Sequence, residues 1–269
     1  MASKEDQRVA LSVVAPAHNE EGNVERLVEE VGRACEAVAR AMGRLQDGFE
    51  FVLVDDGSTD GTRARAVALM KGRPWLRVVA MTNTPMGKGN GQSAAFHAGF
   101  RACRGELIAV LDADLQNDPG DLVAMYEVMC REGADMVQGD RSRNRRDNFV
   151  RRAGSVVGRV FRGWILGDSI RDTGCSLRLM RREVALRLPL EFRGVHRFIP
   201  VLARDMGYRV AEMSVTHRAR VAGETKYGMG VLSRALPGLV DCFAVRWMRQ
   251  RRRAVTAAEV GAERREGGS

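Results

Sequence analysis

Three clusters of polar residues each follow a short apolar run. Val9–Ala15 leads into Pro16-Ala17-His18-Asn19-Glu20-Glu21, and Phe51–Val54 into Asp55-Asp56-Gly57-Ser58-Thr59-Asp60-Gly61. Leu107–Leu111 leads into Asp112-Ala113-Asp114-Leu115-Gln116. The last is the most informative. Residues two apart in an extended segment share a side, so the spacing predicts that Asp112, Asp114 and Gln116 present two carboxylates and one amide oxygen together. An oxygen-only donor set suits Mg²⁺ or Mn²⁺, which complete their shells with water and phosphate oxygens. A lone Asp-x-Asp is more often a polar loop with helix caps; its place after an apolar run, beside two similar clusters, reverses that expectation.

Other motifs fail on inspection. Asp56-x-Ser58-x-Asp60-Gly61 begins like a calcium loop, but the twelfth position is Val67, where a bidentate Glu is needed. Around Gly87-Lys88-Gly89, Thr82 replaces the first glycine of a phosphate-binding loop and Gly89 its Ser or Thr. Gly87-x-Gly89-x-Gly91 misses the dinucleotide spacing. His18, His97, His196 and His217 have no metal-site spacing. Cys35, Cys103, Cys130, Cys175 and Cys242 form no Cys-x-x-Cys pair, which predicts reduced thiols in a cytosolic protein.

The elements that would carry the clusters alternate. Val9–Ala15, Phe51–Val54, Leu76–Met81, Leu107–Leu111 and Met136–Gln138 read as buried strands. Val24–Met42, Thr62–Met70, Gly91–Cys103 and Leu122–Arg131 have helical spacing, the last with Asp118 as its N-cap. Alternation of this kind predicts an α/β protein with a doubly wound, mostly parallel sheet, which binds ligands at the carboxyl ends of its strands. Asp140–Arg152 then carries six arginines. Phe149–Leu166 reads as an apolar helix, Arg209–His217 as a returning strand, and Val231–Trp247 as a helix with one apolar stripe and a bend at Pro237.

The chain has 269 residues, 45% of them hydrophobic and 29% charged, the composition of a globular protein and not of a disordered one. The longest stretch without Asp, Glu, Lys or Arg is 12 residues, Gly89 to Phe100, too short to span a bilayer. MASKEDQRVA has no secretory signal character. The net charge is +9, with 39 arginines and four lysines, which allows a polyanionic partner such as nucleic acid, an anionic membrane or a phosphorylated substrate.

The segments VVAPAHNEEGNV, FVLVDDGSTDGT, KGNGQSAAFHAG and ELIAVLDADLQNDP resemble family 2 glycosyltransferases with the GT-A fold. DLQNDP, DTGCSLRLMRRE, HRFIP and HRARVAGETKYG are similar to dolichyl- and polyprenyl-phosphate sugar transferases, of the dolichol-phosphate mannosyltransferase kind. The resemblance covers about residues 9 to 250. It implies a GDP- or UDP-sugar donor, Mg²⁺ or Mn²⁺, a lipid phosphate acceptor, and inversion at the sugar carbon. By the same resemblance Pro16, His18, Glu20 and Asp55 would line the nucleoside pocket, with Asp56, Lys88 and Asp112 also on the donor. Asp112, Asp114 and Gln116 would hold the metal, with Asp114 catalytic, and Arg220 and Lys226 would clamp the donor diphosphate. Arg141, Arg151 and Ser155 would face the acceptor.

A metal and two cations would stabilise charge developing on a nucleoside diphosphate leaving group. A lipid phosphate is already anionic and needs no strong base. A hydroxyl acceptor, soluble, glycan or protein, would need one, and Asp172 is the candidate. Phe243-x-x-Arg246-Trp247 has the Arg-Trp of the processive synthases' QxxRW without its Gln, which argues against a polymerase. The DTGC segment also departs from many lipid-linked relatives and leaves sugar and acceptor open.

The resulting division is a flexible N-terminus over 1–8, a GT-A catalytic domain over 9–228, an amphipathic helix over 229–250 and a disordered basic and polar tail over 251–269. Many relatives continue into transmembrane helices; here a peripheral attachment to the inner face of the cytoplasmic membrane is expected instead. Phe149–Leu166 and Val231–Met248 would lay apolar faces in the headgroup region, with Arg249–Arg253 over anionic lipid. The opposing expectation is that both stripes pack on the catalytic domain, on a second copy or on a membrane protein. A basic nucleic-acid-binding protein is the remote alternative: only three Tyr and three Trp interleave with the basic runs, and the acidic clusters would repel a phosphate backbone.

Overall fold

The computed structural model describes residues 9–85, 87–142, 149–218, 231–253 and 255, with the side chains of 149–155 and 231–236 outside that description. Seven strands form one mixed sheet: β1 (Val9–Ala17), β2 (Phe49–Asp55), β3 (Leu76–Ala80), β4 (Gly105–Val110), β5 (Met136–Asp140), β6 (Arg178–Arg181) and β7 (Val210–Ser214). Their order is β3-β2-β1-β4-β6-β5-β7; β6 alone runs antiparallel to both its neighbours. The helices are α1 (Val24–Ala41), α2 (Thr62–Leu69), α3 (Gln92–Ala102), α4 (Asp121–Glu132), α5 (Phe149–Leu166), α6 (Arg182–Arg187), α7 (Ile199–Asp205) and α8 (Val231–Arg251).

The central strands bury both faces, which is why they read as unbroken apolar runs. Leu11, Val13, Phe51, Leu53, Leu107 and Ala109 point to one face, under α1 and α4. Val14, Val52, Val54, Ile108 and Val110 point to the other, under α3, α6 and α7. α1 shows why its sequence is a helix: Val24, Leu27, Val28, Val31, Cys35 and Val38 bury one stripe, while Arg26 and Glu30 pair at 2.7 Å toward water. Near the amino ends of the strands, buried Glu50 accepts from Ser12 Oγ (2.6 Å), the Arg104 amide (2.6 Å) and Arg77 Nη1 (2.7 Å). Burial pushes its carboxyl up, but these bonds outweigh that and hold it below the usual range.

The five strands and four helices expected in the first half are present, with ends shifted by at most two residues. β6, α6 and α7 were not anticipated. Asp118 does not cap α4: its Oδ1 accepts the Gly120 amide at 2.9 Å, closing a turn one step earlier. The proposed domain limits near 8 and 228 and the tail beyond 255 fall on or next to residues outside the described set.

α5 is inside-out. It buries Arg162, whose Nε donates to Asp168 at 2.5 Å and Nη1 to Thr173 at 2.8 Å. Its outer face carries Val157 and Val160, and Trp164 at 78% exposure. α8 lies beside it, with Phe161 and Phe243 edge to face at 6.0 Å, and exposes Val240, Phe243 and Trp247. Arg249 bonds the Leu166 carbonyl and pairs with Asp205 at 2.8 Å, and Arg246 reaches the Ile165 carbonyl at 3.3 Å. Both therefore fasten α8 to the open carbonyl end of α5. The expectation that Arg249 is a solvent-facing lipid contact is corrected accordingly. Among the described residues no helix is long and apolar enough to cross a membrane.

Candidate active site

One end of the sheet gathers the polar segments. Ala17 stands level with Asp55, Val14 with Val110, and Asp140 with Ser214. β1, β2, β4, β5 and β7 thus end on the same side. Because β6 is antiparallel, with Arg178 opposite both Val110 and Gln138, its beginning adds residues 172–178 to that side.

The first two clusters lock together. Asn19, left-handed at φ 54°, donates its amide to Ser58 Oγ (3.0 Å) and accepts the Thr59 amide on Oδ1 (2.8 Å). His18 Nδ1 donates to the Asp56 carbonyl at 2.6 Å, and the Glu20 amide to Thr62 Oγ1 at 2.8 Å. Pro16, His18 and Glu20 remain half-buried at the strand end. Asp55 is fully buried and paired with Arg63 at 2.6 Å.

Asp56 ties this floor to the loop before α3. Its Oδ1 accepts the Asn90 amide (2.8 Å) and Thr84 Oγ1 (3.1 Å), and its Oδ2 the Gly91 amide (2.8 Å). Gly89 is required there: φ is +63°, and a Cβ would stand 2.8 Å from Asp56 Oδ2. Lys88 is exposed on the same loop. Asp56 therefore spends its carboxylate on the loop, a structural use beside the donor contact expected of it.

The third cluster is not extended. β4 ends at Val110; Ala113 and Asp114 form a turn, Leu115 is left-handed at φ 60°, and Asp114 Oδ1 accepts the Gln116 amide at 3.1 Å. Asp112, Asp114 and Gln116 therefore do not share a side through strand alternation, because the chain turns back where the spacing predicts an extended segment. Asp112 and Asp114 remain electrostatic neighbours: burial and then the Asp114 charge push the Asp112 carboxyl up, against Ser176, Arg141 and Arg178. Among the described residues no three His, Cys, Asp or Glu side chains form a ready metal cluster. A pair of carboxylates, one destabilised by the other's charge, is nevertheless a donor set that a hard divalent cation fits.

On the far side of Asp112, Arg141 and Asp172 are buried together at 8% exposure each. Arg141 donates Nε to Asp172 Oδ2 (2.9 Å), Nη2 to Oδ1 (3.3 Å) and its amide to Oδ2 (3.2 Å), while the Gly174 amide binds Oδ1 (3.0 Å). A carboxylate so occupied orients a guanidinium; it is poorly placed to take a proton from a hydroxyl. Burial alone would lower the Arg141 pKa, but Asp172 raises it. Arg151 and Ser155 lie in α5 with side chains outside the described residues, and Arg220 and Lys226 lie outside them altogether. The chain approaching them is fixed: the Arg218 amide binds the Gln116 carbonyl (2.8 Å), and its guanidinium pairs with Asp118 and Glu30.

Several site residues escaped the sequence reading. Gln92 and Ser176 hold Asp112. Arg178, fully buried, donates to Gln138 Oε1 (2.7 Å) and the Thr173 carbonyl (2.9 Å), and burial lowers its pKa to about 10. Ser93 Oγ accepts the His196 amide (3.1 Å) and shares a hydrogen bond with His196 Nδ1 (2.8 Å). Burial, with Arg197 and Arg178 nearby, holds that histidine down at about 3, hence neutral. The usable signals were Gln92 and Ser93 opening a predicted helix, and the alternation Leu177-Arg178-Leu179, a strand pattern with an arginine inside.

Comparison with known proteins agrees with this architecture. Residues 12–188 match the model of Glycosyl transferase family 2. Dodecaprenyl-phosphate galacturonate synthase of Rhizobium johnstonii is 38% identical over 89% of this chain and 67% of its own length. Undecaprenyl-phosphate 4-deoxy-4-formamido-L-arabinose transferase of Aeromonas hydrophila is 35% identical over 87% of this chain and 67% of its own. This chain thus spans about two thirds of those relatives. Among solved structures, glucosyl-3-phosphoglycerate synthase of Mycobacterium tuberculosis, in complex with Mn²⁺, uridine diphosphate and glucosyl-3-phosphoglycerate, superposes with a TM-score of 0.60 at 22% identity, covering 89% of this chain and 80% of that one, a likeness of fold. The mostly parallel sheet, the carboxylates at its open end and the matched family model lead to one conclusion: the chain belongs to glycosyl transferase family 2 and is a glycosyltransferase with a GT-A fold.

Proposed function

We propose that this enzyme moves a sugar from a GDP- or UDP-sugar to a polyprenyl phosphate at the inner face of the cytoplasmic membrane, using Mg²⁺ or Mn²⁺. The observation that carries the reading is the setting of Asp112 and Asp114: two neighbouring carboxylates at the sheet's open end, Asp112 pushed up by burial and by the Asp114 charge, beside the buried Arg141. Pro16, His18, Glu20 and Asp55 would bind the nucleoside, with Lys88 and the Asp56-anchored loop beside it. A divalent cation on Asp112 and Asp114, with Gln116 as a further oxygen, would supply neutralisation of the diphosphate as it leaves. Arg220 and Lys226 would share that charge, and Arg141, Arg151 and Ser155 would hold the acceptor phosphate.

The geometry around Asp172 favours a phosphate acceptor over a hydroxyl. An attacking phosphate oxygen is anionic at neutral pH, and Asp172, the candidate base, is engaged by Arg141. Membrane attachment is supported by the apolar side chains that α5 and α8 leave exposed, Val157, Val160 and Trp164 on one and Val240 and Trp247 on the other. A second copy or a membrane protein is the competing cover. The relatives' names point to the same acceptor class.

The test is a transfer assay offering UDP- and GDP-sugars, with Mn²⁺ or Mg²⁺, to a short-chain polyprenyl phosphate and to the matching polyprenol. Product on the phosphate and none on the alcohol, abolished by EDTA, is expected. Equal transfer to the alcohol would overturn the acceptor assignment.

A further inference from the structure

Asp112 does not stand alone. Gln92, the first residue of α3, donates Nε2 to its Oδ1 at 2.5 Å. Ser176, two residues before β6, donates Oγ to its Oδ2 at 2.6 Å. The serine is itself fixed, because Asn117 Nδ2 donates to the same Oγ at 2.7 Å, which leaves the hydroxyl proton for Asp112. Asn117 and Ser176 are buried, so water cannot readily replace either partner. Gln92 is positioned in turn: the Asn90 and Gly91 amides just before it are held by Asp56. The Asp112 carboxylate is therefore gripped from both sides by neutral donors on two different elements.

Each carboxylate oxygen has two acceptor directions. Among the described residues one on each is taken by Gln92 or Ser176, which leaves the other for a cation. Neutral donors fix the rotamer without bringing a positive charge that would compete with a metal. We propose that Gln92 and Ser176, with Asn117 behind the serine, are positioning residues that preorganise Asp112 for the divalent cation. The inference rests on the metal reading above and deepens it. Removing a partner that orients a metal-bound side chain typically weakens metal affinity by about 10–100-fold.

The test is Mn²⁺ titration of the full chain followed by electron paramagnetic resonance, alone and with UDP or GDP present. Ser176→Ala and Gln92→Leu are each expected to weaken Mn²⁺ by at least 10-fold, of the order typical for such partners. Ser176→Thr, which keeps the hydroxyl, should restore most of the affinity, and thermal melts should show all three folded. In transfer assays the loss should fall on the apparent KM for Mn²⁺ more than on kcat at saturating metal. Wild-type Mn²⁺ affinity in folded Ser176→Ala and Gln92→Leu, with binding abolished in Asp112→Asn, would overturn the positioning role and leave the metal assignment standing. Unchanged Mn²⁺ binding in Asp112→Asn would overturn both.

Discussion

Asp172→Asn separates two roles that the same residue could play. The side chain keeps its shape but loses its charge, and its amide nitrogen must face N–H donors that the lost oxygen accepted. Arg141 then remains buried at 8% exposure without the partner that now holds it at 2.9 and 3.3 Å. Breaking a buried pair from one side costs about 3–5 kcal/mol. The lower end applies, since Asp112 lies near enough to Arg141 to share its charge and an asparagine oxygen still accepts. For a chain of this size about 3 kcal/mol corresponds to roughly 6–12 °C in Tm. Double substitution with Arg141→Gln removes the stranded charge, and the cycle should show a coupling of about 2 kcal/mol. Turnover on a polyprenyl phosphate should fall modestly, with an unaltered pH profile, because no proton is taken from the acceptor. A general base would behave differently: about 10²–10⁴ in rate lost, the acidic limb of the profile flattened, and stability unchanged. A melt within 2 °C of wild type (roughly 1 kcal/mol or less) together with a loss of that size would refute the assignment of Asp172 as the holder of Arg141.

Glu50→Gln should cost about 2–3 kcal/mol, since a carboxylate fixed by Ser12, Arg77 and Arg104 is replaced by a weaker acceptor. Because the folded pKa of Glu50 lies below the unfolded value, its stabilisation is present above about pH 4.3 and fades as pH falls through the folded pKa; urea midpoints of wild type and variant should therefore converge in acid. Arg220→Ala and Lys226→Ala should each lose about 1.5–3 kcal/mol of transition-state stabilisation, read as kcat/KM, with unchanged melts; wild-type turnover in either would reduce them to surface charges. Trp164→Ser with Trp247→Ser should cut flotation with anionic liposomes roughly 100-fold, about 1.5 kcal/mol for each ring withdrawn from the interface; unchanged flotation would point to a second copy or another protein on that face. A chain ending at Gly228 should lose the α8 share of that binding.

How much of this was legible in the sequence follows from where the information is local. The buried strands and α1 to α4 announce themselves through apolar runs and helical spacing, and their ends place the polar clusters on one side of a sheet. β6 is four residues long and carries a buried arginine, so its pattern is indistinct until Gln138 and the Thr173 carbonyl are seen to receive that side chain. The extended reading of Asp112–Gln116 failed because a left-handed Leu115 is stabilised by burial of its side chain and by the Asp114–Gln116 bond, neither of which spacing reveals. Ser176 reaches Asp112 across 64 positions, and Gln92 across 20; contacts of that kind are made by topology. The apolar stripes of α5 and α8 were visible, but whether they face inward depends on Arg162 finding Asp168 inside.

The central claim is that Asp112 and Asp114 bind a divalent cation that the donor diphosphate shares. Isothermal titration of UDP and GDP into wild type, Asp112→Asn and Asp114→Asn, each with Mn²⁺ and with EDTA, tests it most directly. The account predicts tight nucleotide binding only for wild type with Mn²⁺, with both variants folded and reduced to the EDTA level. Equal nucleotide affinity in the presence and absence of Mn²⁺, unaffected by either substitution, would contradict it.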